Sequence, residues 1–189
     1  MKEYIETMSG QKVWLPNPDP DSIQIEDIAH ALSFQPRFAG HTRIMHSVAA
    51  HSLLVENIVH EFLGETDRII RLQALLHDAT EAYLCDIPSP FKSLIPQYKE
   101  LEANLWRVIS TRFGVPFEMD PLVKKADWLN LYGERDWLRT HQTSEWANEP
   151  SAEDKQKIIS LIRRNLGDGI QSSPHIKGLF LSTFRALEK

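Results

Sequence analysis

The stretch LQALLHDATEAYLCDIPSPFK, residues 72–92, begins like a core-facing helix and then becomes rich in ionisable side chains. Its first leucines recur at helical spacing, which predicts a face that packs against an apolar core. His77, Asp78, Glu81 and Asp86 follow directly. Because burying such groups without partners costs several kcal/mol each, they need compensation. The stretch therefore predicts a surface, an ion-pair network or a metal site at the end of this helix.

Length and composition predict one soluble domain. The chain of 189 residues can bury a single core, and its 42% hydrophobic and 25% charged residues are typical of a globular protein. The net charge of -5 gives no broad positive field. This charge argues against duplex nucleic acid or an anionic membrane as the main partner.

The single cysteine and the N-terminal sequence favour the cytoplasm as the compartment. Cys85 excludes an internal disulfide and suits a reducing environment, and we expect it to be a small buried residue. Residues 1–16 carry no apolar segment of the signal-peptide type, and no later segment approaches a membrane-spanning length. We therefore expect a cytoplasmic protein.

The pattern of apolar residues predicts an all-α fold. We expect a single domain over residues 1–189, an irregular helical bundle with a small N-terminal β-hairpin within residues 1–20. The catalytic helical core would span residues 24–142, and C-terminal helices would fill residues 151–189. The predicted helices, most of them bounded by capping residues or glycines, are 25–33, 48–64, 67–84, 97–114, 120–141, 151–167 and 174–188.

Three of the predicted helices each carry a histidine or carboxylate on an inward face. These residues are His51, the adjacent pair His77 and Asp78, and Asp127. Two imidazoles and two carboxylates suit a divalent first-row ion such as Mn, Fe, Co, Ni or Zn better than Ca. Other histidines are interpreted as ordinary hydrogen-bonded core residues. They are His30, His60, His141 and His175.

The order His, His-Asp, Asp resembles that of the HD-domain phosphohydrolases. The likeness is carried by SVAAHS at 47–52, LLHDATEAYLCDIPSPFK at 75–92 and LVKKADWLNL at 122–131. It is greatest to the branch of bacterial 5′-deoxynucleotidases and small phage- or prophage-encoded HD hydrolases. The resemblance covers roughly the first two-thirds of the chain, and the sequence lacks the GYP-type signature of cyclic-dinucleotide phosphodiesterases.

The resemblance implies a divalent metal ion held by His51, His77, Asp78 and Asp127. Co, Mn, Fe, Ni, Zn and Mg are all candidates for this ion. The resemblance also implies that Glu81 acts on the attacking water or on the departing oxygen. Asp86 would orient these groups or help to hold a second metal near Glu81.

The resemblance further implies substrate contacts on both sides of the metal. Lys92 and Lys124 match basic positions that face phosphate oxygens. Arg37 and Phe38 lie in a loop that matches a region contacting the sugar and the base. Gln35, in the same loop, departs from the pattern of the family.

The expected function is that of a metal-dependent phosphohydrolase, a nucleotidase that removes phosphate from a deoxynucleoside 5′-phosphate. One alternative is a dNTP triphosphohydrolase that releases triphosphate, and another is a non-catalytic, nucleotide-binding HD scaffold. The expected partner is a small-molecule deoxynucleotide, with no duplex nucleic acid and no membrane. The formation of a homo-oligomer stays open.

Overall fold

The N-terminal segment forms the predicted β-hairpin. Strand β1, Tyr4–Glu6, pairs antiparallel with strand β2, Lys12–Trp14, and brings Val13 into the core. The turn is held by buried Asp27, which accepts hydrogen bonds from Thr7 Oγ1 at 2.7 Å and from the backbone N–H of Ser9 at 2.9 Å. The hairpin is thereby fixed to the first helix.

Helices make up most of the remaining chain, so the predicted all-α class with a small hairpin is confirmed. The computed structural model describes residues 3–138, 146–167, 169 and 171–189. The α-helices are α1 Ile25–Phe34, α2 Val48–Asn57, α3 Arg68–Leu76, α4 Glu81–Leu84, α5 Ser89–Lys92, α6 Pro96–Phe113, α7 Pro121–Leu138, α8 Ala152–Leu166 and α9 Ser173–Glu188. None of these described helices combines the length and the apolar character needed to cross a membrane.

Helix α2 is the centre of the bundle and is buried along almost its entire length. It packs against α1, α3, α7, α8 and α9, and a π-helical turn at Ile58–Phe62 extends it. A helix that is packed on all sides by other helices exposes no polar face to solvent. His51, in the middle of α2, is consequently fully buried.

The predicted continuous helix over 67–84 is wrong, because the chain tightens after Leu76. Nδ1 of His77 donates to the carbonyl oxygen of Ala74 at 2.7 Å, and that oxygen is the one that the next α-helical bond would use. The following N–H groups bond three residues back, as in Glu81 N–H to the Asp78 carbonyl at 3.0 Å. The histidine side chain thus ends α3, and α4 begins at Glu81.

The contact between α7 and α8 depends on a glycine. A Cβ at Gly133 would lie 2.4 Å from Cγ2 of Ile158, so we expect Gly133→Ala to destabilise the fold by about 1–3 kcal/mol through overpacking. Gly178 on α9 is the matched control, because a Cβ there meets nothing within 4 Å. Gly178→Ala should stabilise by roughly 0.5–1 kcal/mol. Urea unfolding of both variants measures these changes, and equal stability of Gly133→Ala and wild type would contradict the packing argument.

Candidate metal centre and adjoining clefts

Three helices bring a histidine–aspartate group together at one point, as the sequence predicted. His51 comes from α2, His77 directly follows α3, and Asp127 comes from α7. Nε2 of His51 lies 3.2 Å from Nε2 of His77 and 3.1 Å from Oδ1 of Asp127. His77 Nε2 and Asp127 Oδ1 are 3.9 Å apart. These three side chains form a group that could hold a metal ion.

Asp78 lies at the edge of this group. Its Oδ2 is 3.5 Å from Nε2 of His51 and 3.3 Å from Nε2 of His77. The same oxygen is 3.4 Å from Nη1 of Arg37. Asp78 is therefore close enough to both histidines to share a ligand with them, and it is also paired with a guanidinium group.

The hydrogen bonds behind the two histidines orient their rings. Nδ1 of His77 faces the Ala74 carbonyl, and Nδ1 of His51 lies 2.9 Å from Oε1 of Glu134. The Glu134 carboxylate and the Ala74 carbonyl can only accept, so we infer a proton on each Nδ1 and, in the neutral ring, a lone pair on each Nε2. The amide nitrogen of Asn130 also lies 3.0 Å from Nδ1 of His51 and 2.9 Å from Oε1 of Glu134. Two such lone pairs beside carboxylate oxygens repel one another unless a cation lies between them. The donor set therefore fits a divalent ion bound through nitrogen and oxygen at about 2.0–2.2 Å.

The pKa shifts of His51 and Asp78 reflect the attraction between the imidazoles and the carboxylates of this group. Burial and the charge of Arg37 lower the pKa of His51, but the charge and hydrogen bond of Glu134 together with the hydrogen bond of Asp127 raise it to about 10. Burial alone would raise the pKa of Asp78, yet His77 and Arg37 help to hold it below its usual value. The group thus favours a positive charge at the point where the two Nε2 atoms meet.

Glu81 is a buried carboxyl group beside this centre, with only 4% of its surface exposed. Its Oε1 lies 3.3 Å from Nζ of Lys92, whereas Oε2 has no hydrogen-bond partner within the described part of the chain. Burial and the nearby charges of Asp78 and Asp86 raise the pKa of Glu81 to about 9. The side chain is therefore protonated at neutral pH and has one oxygen free to exchange a proton.

Gln35 connects Glu81 to Asp86, a contact that the sequence analysis did not predict. Its Nε2 donates to the backbone carbonyl of Glu81 at 2.9 Å, and its Oε1 accepts from the N–H of Asp86 at 3.2 Å. Burial raises the pKa of Asp86 above its ordinary value. In the resemblance to the HD family, Gln35 was noted only as a departure from the family pattern. In the structure its side chain holds the backbone of Glu81 and of Asp86 in position. A second metal near Glu81 and Asp86 stays a prediction.

Cys85 is exposed, so the prediction that it is buried is wrong. Its backbone lies in the left-handed region, with φ of 67° and ψ of 154°. The Cys85 N–H donates a hydrogen bond to the Glu81 carbonyl at 2.9 Å and completes the last turn of α4, and the chain then changes direction. This turn directs the side chain outward and sets the path of the chain into Asp86.

The predicted substrate residues Arg37, Phe38 and Lys92 line one cleft with a volume of about 660 Å³. The same cleft is bordered by Glu81, Asp86, Leu131 and Trp146, and it reaches Asp78 and Asp127. The Arg37 guanidinium lies 5.6 Å from the centre of the Phe38 ring. Phe38 itself has a left-handed backbone with φ of 55°, and such strain often occurs at functional sites.

The two predicted phosphate contacts lie in different clefts. Lys124 is exposed and lines a second cleft of about 360 Å³, together with Lys99, Trp106 and Phe117. This second cleft also reaches Asp78 and Asp127. Lys92, in the larger cleft, already pairs with Glu81 and with Glu102, whose Oε1 lies 3.0 Å away. The candidate metal centre therefore lies where the two clefts meet.

Asn130 and Glu134, which were not among the predicted site residues, lie behind the centre and are fully buried. They follow Asp127 on α7 at the i+3 and i+7 positions, and this spacing places all three on one face. The same spacing could have identified them from the sequence.

Two of the histidines that were interpreted as core residues, His30 and His60, have their contacts elsewhere in the fold. Nδ1 of His60 is 3.1 Å from the Glu65 carbonyl, and His30 packs near Phe34, so neither contacts the candidate ligands. His175 is exposed, and its predicted place in the core is therefore wrong. His141 lies outside the described residues.

The fold and the site together define a helical protein with a partly buried histidine–aspartate group that could hold a metal ion. No family model matches the chain. It is 42% identical over 144 residues to the uncharacterized protein YfdR of Escherichia coli K12, an alignment that covers 76% of each chain. It is 41% identical over 122 residues to the uncharacterized protein RCAP_rcc00048 of Rhodobacter capsulatus, covering 63% of this chain and 62% of that protein. The chain belongs to the family that includes YfdR.

Proposed function

We propose that the protein is a metal-dependent phosphohydrolase of the HD type that removes phosphate from a deoxynucleoside 5′-phosphate. The observation that carries this proposal is the convergence of His51, His77 and Asp127 at the meeting point of two clefts. A protonated carboxyl group, Glu81, lies beside them. A purely structural ion-pair cluster has no need of an open cleft on either side.

The ion would be held by the three converging side chains, with Asp78 as the fourth ligand. When bound, a divalent ion supplies acidified water as a nucleophile and neutralises charge on a phosphoryl oxygen. Histidines that bind a metal need a fixed ring orientation. His51 and His77 have one, because Nδ1 of His51 bonds to Glu134 and Nδ1 of His77 bonds to the Ala74 carbonyl. Asp127, whose side chain is 45% exposed, faces the clefts and leaves room for a substrate.

Glu81 is proposed as the proton donor to the departing sugar oxygen. A general acid needs a proton at working pH, and the raised pKa of Glu81 supplies one. Asp86 contributes through its charge, which helps to raise that pKa, and through the Gln35 bridge that fixes its backbone. Burial keeps bulk water away from the proton.

The larger cleft is proposed to bind the nucleoside. Phe38, Leu131 and Trp146 give it apolar surface, and Arg37 gives it a cation near the sugar and phosphate. Lys92 would contact phosphate oxygens, exchanging one of its carboxylate partners for the substrate. Phosphoryl transfer depends mainly on such positioning and charge neutralisation.

Hydrolysis of a dNTP with release of triphosphate is the second candidate. The smaller cleft favours it, because Lys99 and Lys124 could bind phosphates that extend past the metal centre. A non-catalytic scaffold is disfavoured, because the candidate ligands and Glu81 are all present.

A panel of deoxynucleotides tests the proposed function. The metal-free protein is reloaded with Co, Mn or Mg and incubated with dNMPs, dNTPs and ribonucleotides, and the products are separated by chromatography. Phosphate and a deoxynucleoside from dNMPs support the proposal, whereas triphosphate from dNTPs supports the second candidate. Failure to cleave any of the nucleotides with every metal contradicts both.

The two lysines are expected to differ in their effects on substrate. If dNMP is the substrate, Lys92→Ala should lower kcat/KM roughly 10–100-fold through loss of a charged phosphate contact, and Lys124→Ala should change it little. If dNTP is the substrate, both changes should reduce kcat/KM, with larger losses at low salt. Lys125→Ala is the matched control, because Lys125 is exposed on the same helix. Wild-type kinetics in both variants would show that neither lysine contacts phosphate.

A further inference from the structure

The carboxylate of Glu134 lies directly behind the candidate metal centre and accepts four hydrogen bonds. Its Oε1 accepts from His46 Nε2 at 2.8 Å, from His51 Nδ1 at 2.9 Å and from Asn130 Nδ2 at 2.9 Å. Its Oε2 accepts from Arg37 Nε at 3.1 Å. Both oxygens of Glu134 are therefore engaged, Oε1 by three donors and Oε2 by one.

One oxygen of Glu134 acts on a candidate ligand. In the neutral ring of His51 it holds the proton on Nδ1, and the lone pair is then on Nε2, which is directed at His77 and Asp127. Without such an acceptor, the His51 ring could rotate or carry its proton on Nε2, and it would then not bind a cation. His77 has only a neutral carbonyl behind it. Of the two rings, His51 is therefore the one whose basicity a charged partner increases.

The other oxygen of Glu134 acts on a competitor for the ion. Arg37 is shared between Glu134 and Asp78, with Nη1 of its guanidinium 3.4 Å from Oδ2 of Asp78. That oxygen is also the one that faces the histidines. A guanidinium held by Glu134 has a fixed position at Asp78, whereas a released one is free to neutralise that carboxylate completely.

We propose that Glu134 is a positioning residue that sets the metal affinity of the centre, through His51 on one oxygen and through Arg37 on the other. This inference rests on the metal-binding role in the proposed function. It assigns a function to a residue that contacts neither the ion nor the substrate. Loss of the Glu134 carboxylate should weaken metal binding even where the fold is intact.

Metal titration of three variants tests the proposal. Co²⁺ is titrated into the metal-free protein against a competing chelator, and the affinity is compared with that of wild type. Glu134→Gln, which loses the charge and one acceptor oxygen, should bind Co²⁺ about 10–100-fold more weakly. Glu134→Asp keeps the charge but withdraws the carboxylate by one methylene group, and it should also bind at least fivefold more weakly. Arg37→Gln removes a competing cation and should bind Co²⁺ as well as wild type or more tightly.

The three variants separate positioning from simple charge. If Glu134→Asp binds Co²⁺ within twofold of wild type, Glu134 acts only through its charge, and the positioning role is overturned. Wild-type affinity in Glu134→Gln overturns the whole inference while leaving the proposed function intact. A wild-type protein that does not bind Co²⁺ or any other divalent ion overturns both. Thermal unfolding of each metal-free variant shows whether it is folded.

Nitrogen NMR of the wild-type protein gives a test that does not depend on the folding of any variant. In the zinc-loaded protein, His51 should carry its proton on Nδ1, and that proton should be shifted downfield by the bond to the Glu134 carboxylate. A His51 ring protonated on Nε2 in this sample would overturn the proposal.

Discussion

Replacement of Glu81 by glutamine is expected to lower the proposed phosphohydrolase turnover of the metal-loaded protein about 10²–10⁴-fold. Glutamine preserves the shape of the side chain and its contact with Lys92 but cannot donate a carboxyl proton. Metal and substrate binding should stay near wild-type values, because Glu81 is not among the converging ligands. Single-turnover assays with the bound metal quantified measure the effect.

Glu102→Gln is the matched control for this experiment. Glu102 pairs with the same ammonium group of Lys92, at 3.0 Å, but is a third exposed. Its replacement should lower turnover less than tenfold. Near-normal turnover in Glu81→Gln would show that Glu81 is a structural acid.

The pH dependence of stability gives a second test of Glu81. Its pKa rises from an ordinary 4.5 to about 9 in the folded protein, so the folded state holds a proton that the unfolded state releases. The contribution to stability is therefore present below about pH 4.5 and is lost as the pH rises toward 9. In the metal-free proteins, the stability of wild type should fall more steeply across this range than that of Glu81→Gln. Parallel curves would contradict burial of the protonated acid.

Removal of the metal is expected to abolish activity and to lower the melting temperature. The ion relieves the repulsion among the converging donor atoms, and an ion at 100 times its Kd stabilises a fold by about 2.7 kcal/mol. Asp127→Ala should have the same effects as a chelator. Since 45% of the Asp127 side chain is exposed, its truncation should disturb the core little. Calorimetry and activity assays before and after chelation measure both effects.

Asp136→Ala separates loss of a ligand from loss of any carboxylate on α7. Asp136 pairs with Arg135 and Lys155, away from the candidate centre. Its replacement should leave the stabilisation by metal unchanged. If the chelated wild-type protein keeps its melting temperature and full activity, the proposed metal role is wrong.

The sequence predicted the fold class and the converging ligands because both depend on local periodicity. The apolar residues of α7 recur at helical spacing around Asp127, whereas His51 lies in the largely apolar sequence of α2, which is typical of a central helix. The hairpin was predictable from a short turn between two strands. Its attachment to Asp27 was not, because the contact joins distant parts of the chain.

The parts of the site that the sequence did not predict arise from side chains that bond to the backbone. The His77 side chain donates a hydrogen bond to the Ala74 carbonyl and ends α3. Hydrophobic periodicity does not predict such a bond. Gln35 bonds to the backbone of Glu81, 46 residues further along the chain and beyond α2 and α3, so no local spacing identifies it. The exposure of Cys85 follows from a left-handed turn at a residue that rarely adopts one. The role of Glu134, by contrast, was accessible from its spacing to Asp127.

The origin of the three candidate ligands in helices far apart along the chain has a consequence for folding kinetics. The group is complete only after α2, α3 and α7 have docked, so we expect its geometry to form late on the path to the native state. Interactions that are absent from the transition state change the rate of unfolding and leave the rate of folding nearly unaltered. A bound ion would therefore prolong the lifetime of the folded molecule without helping the chain to reach it.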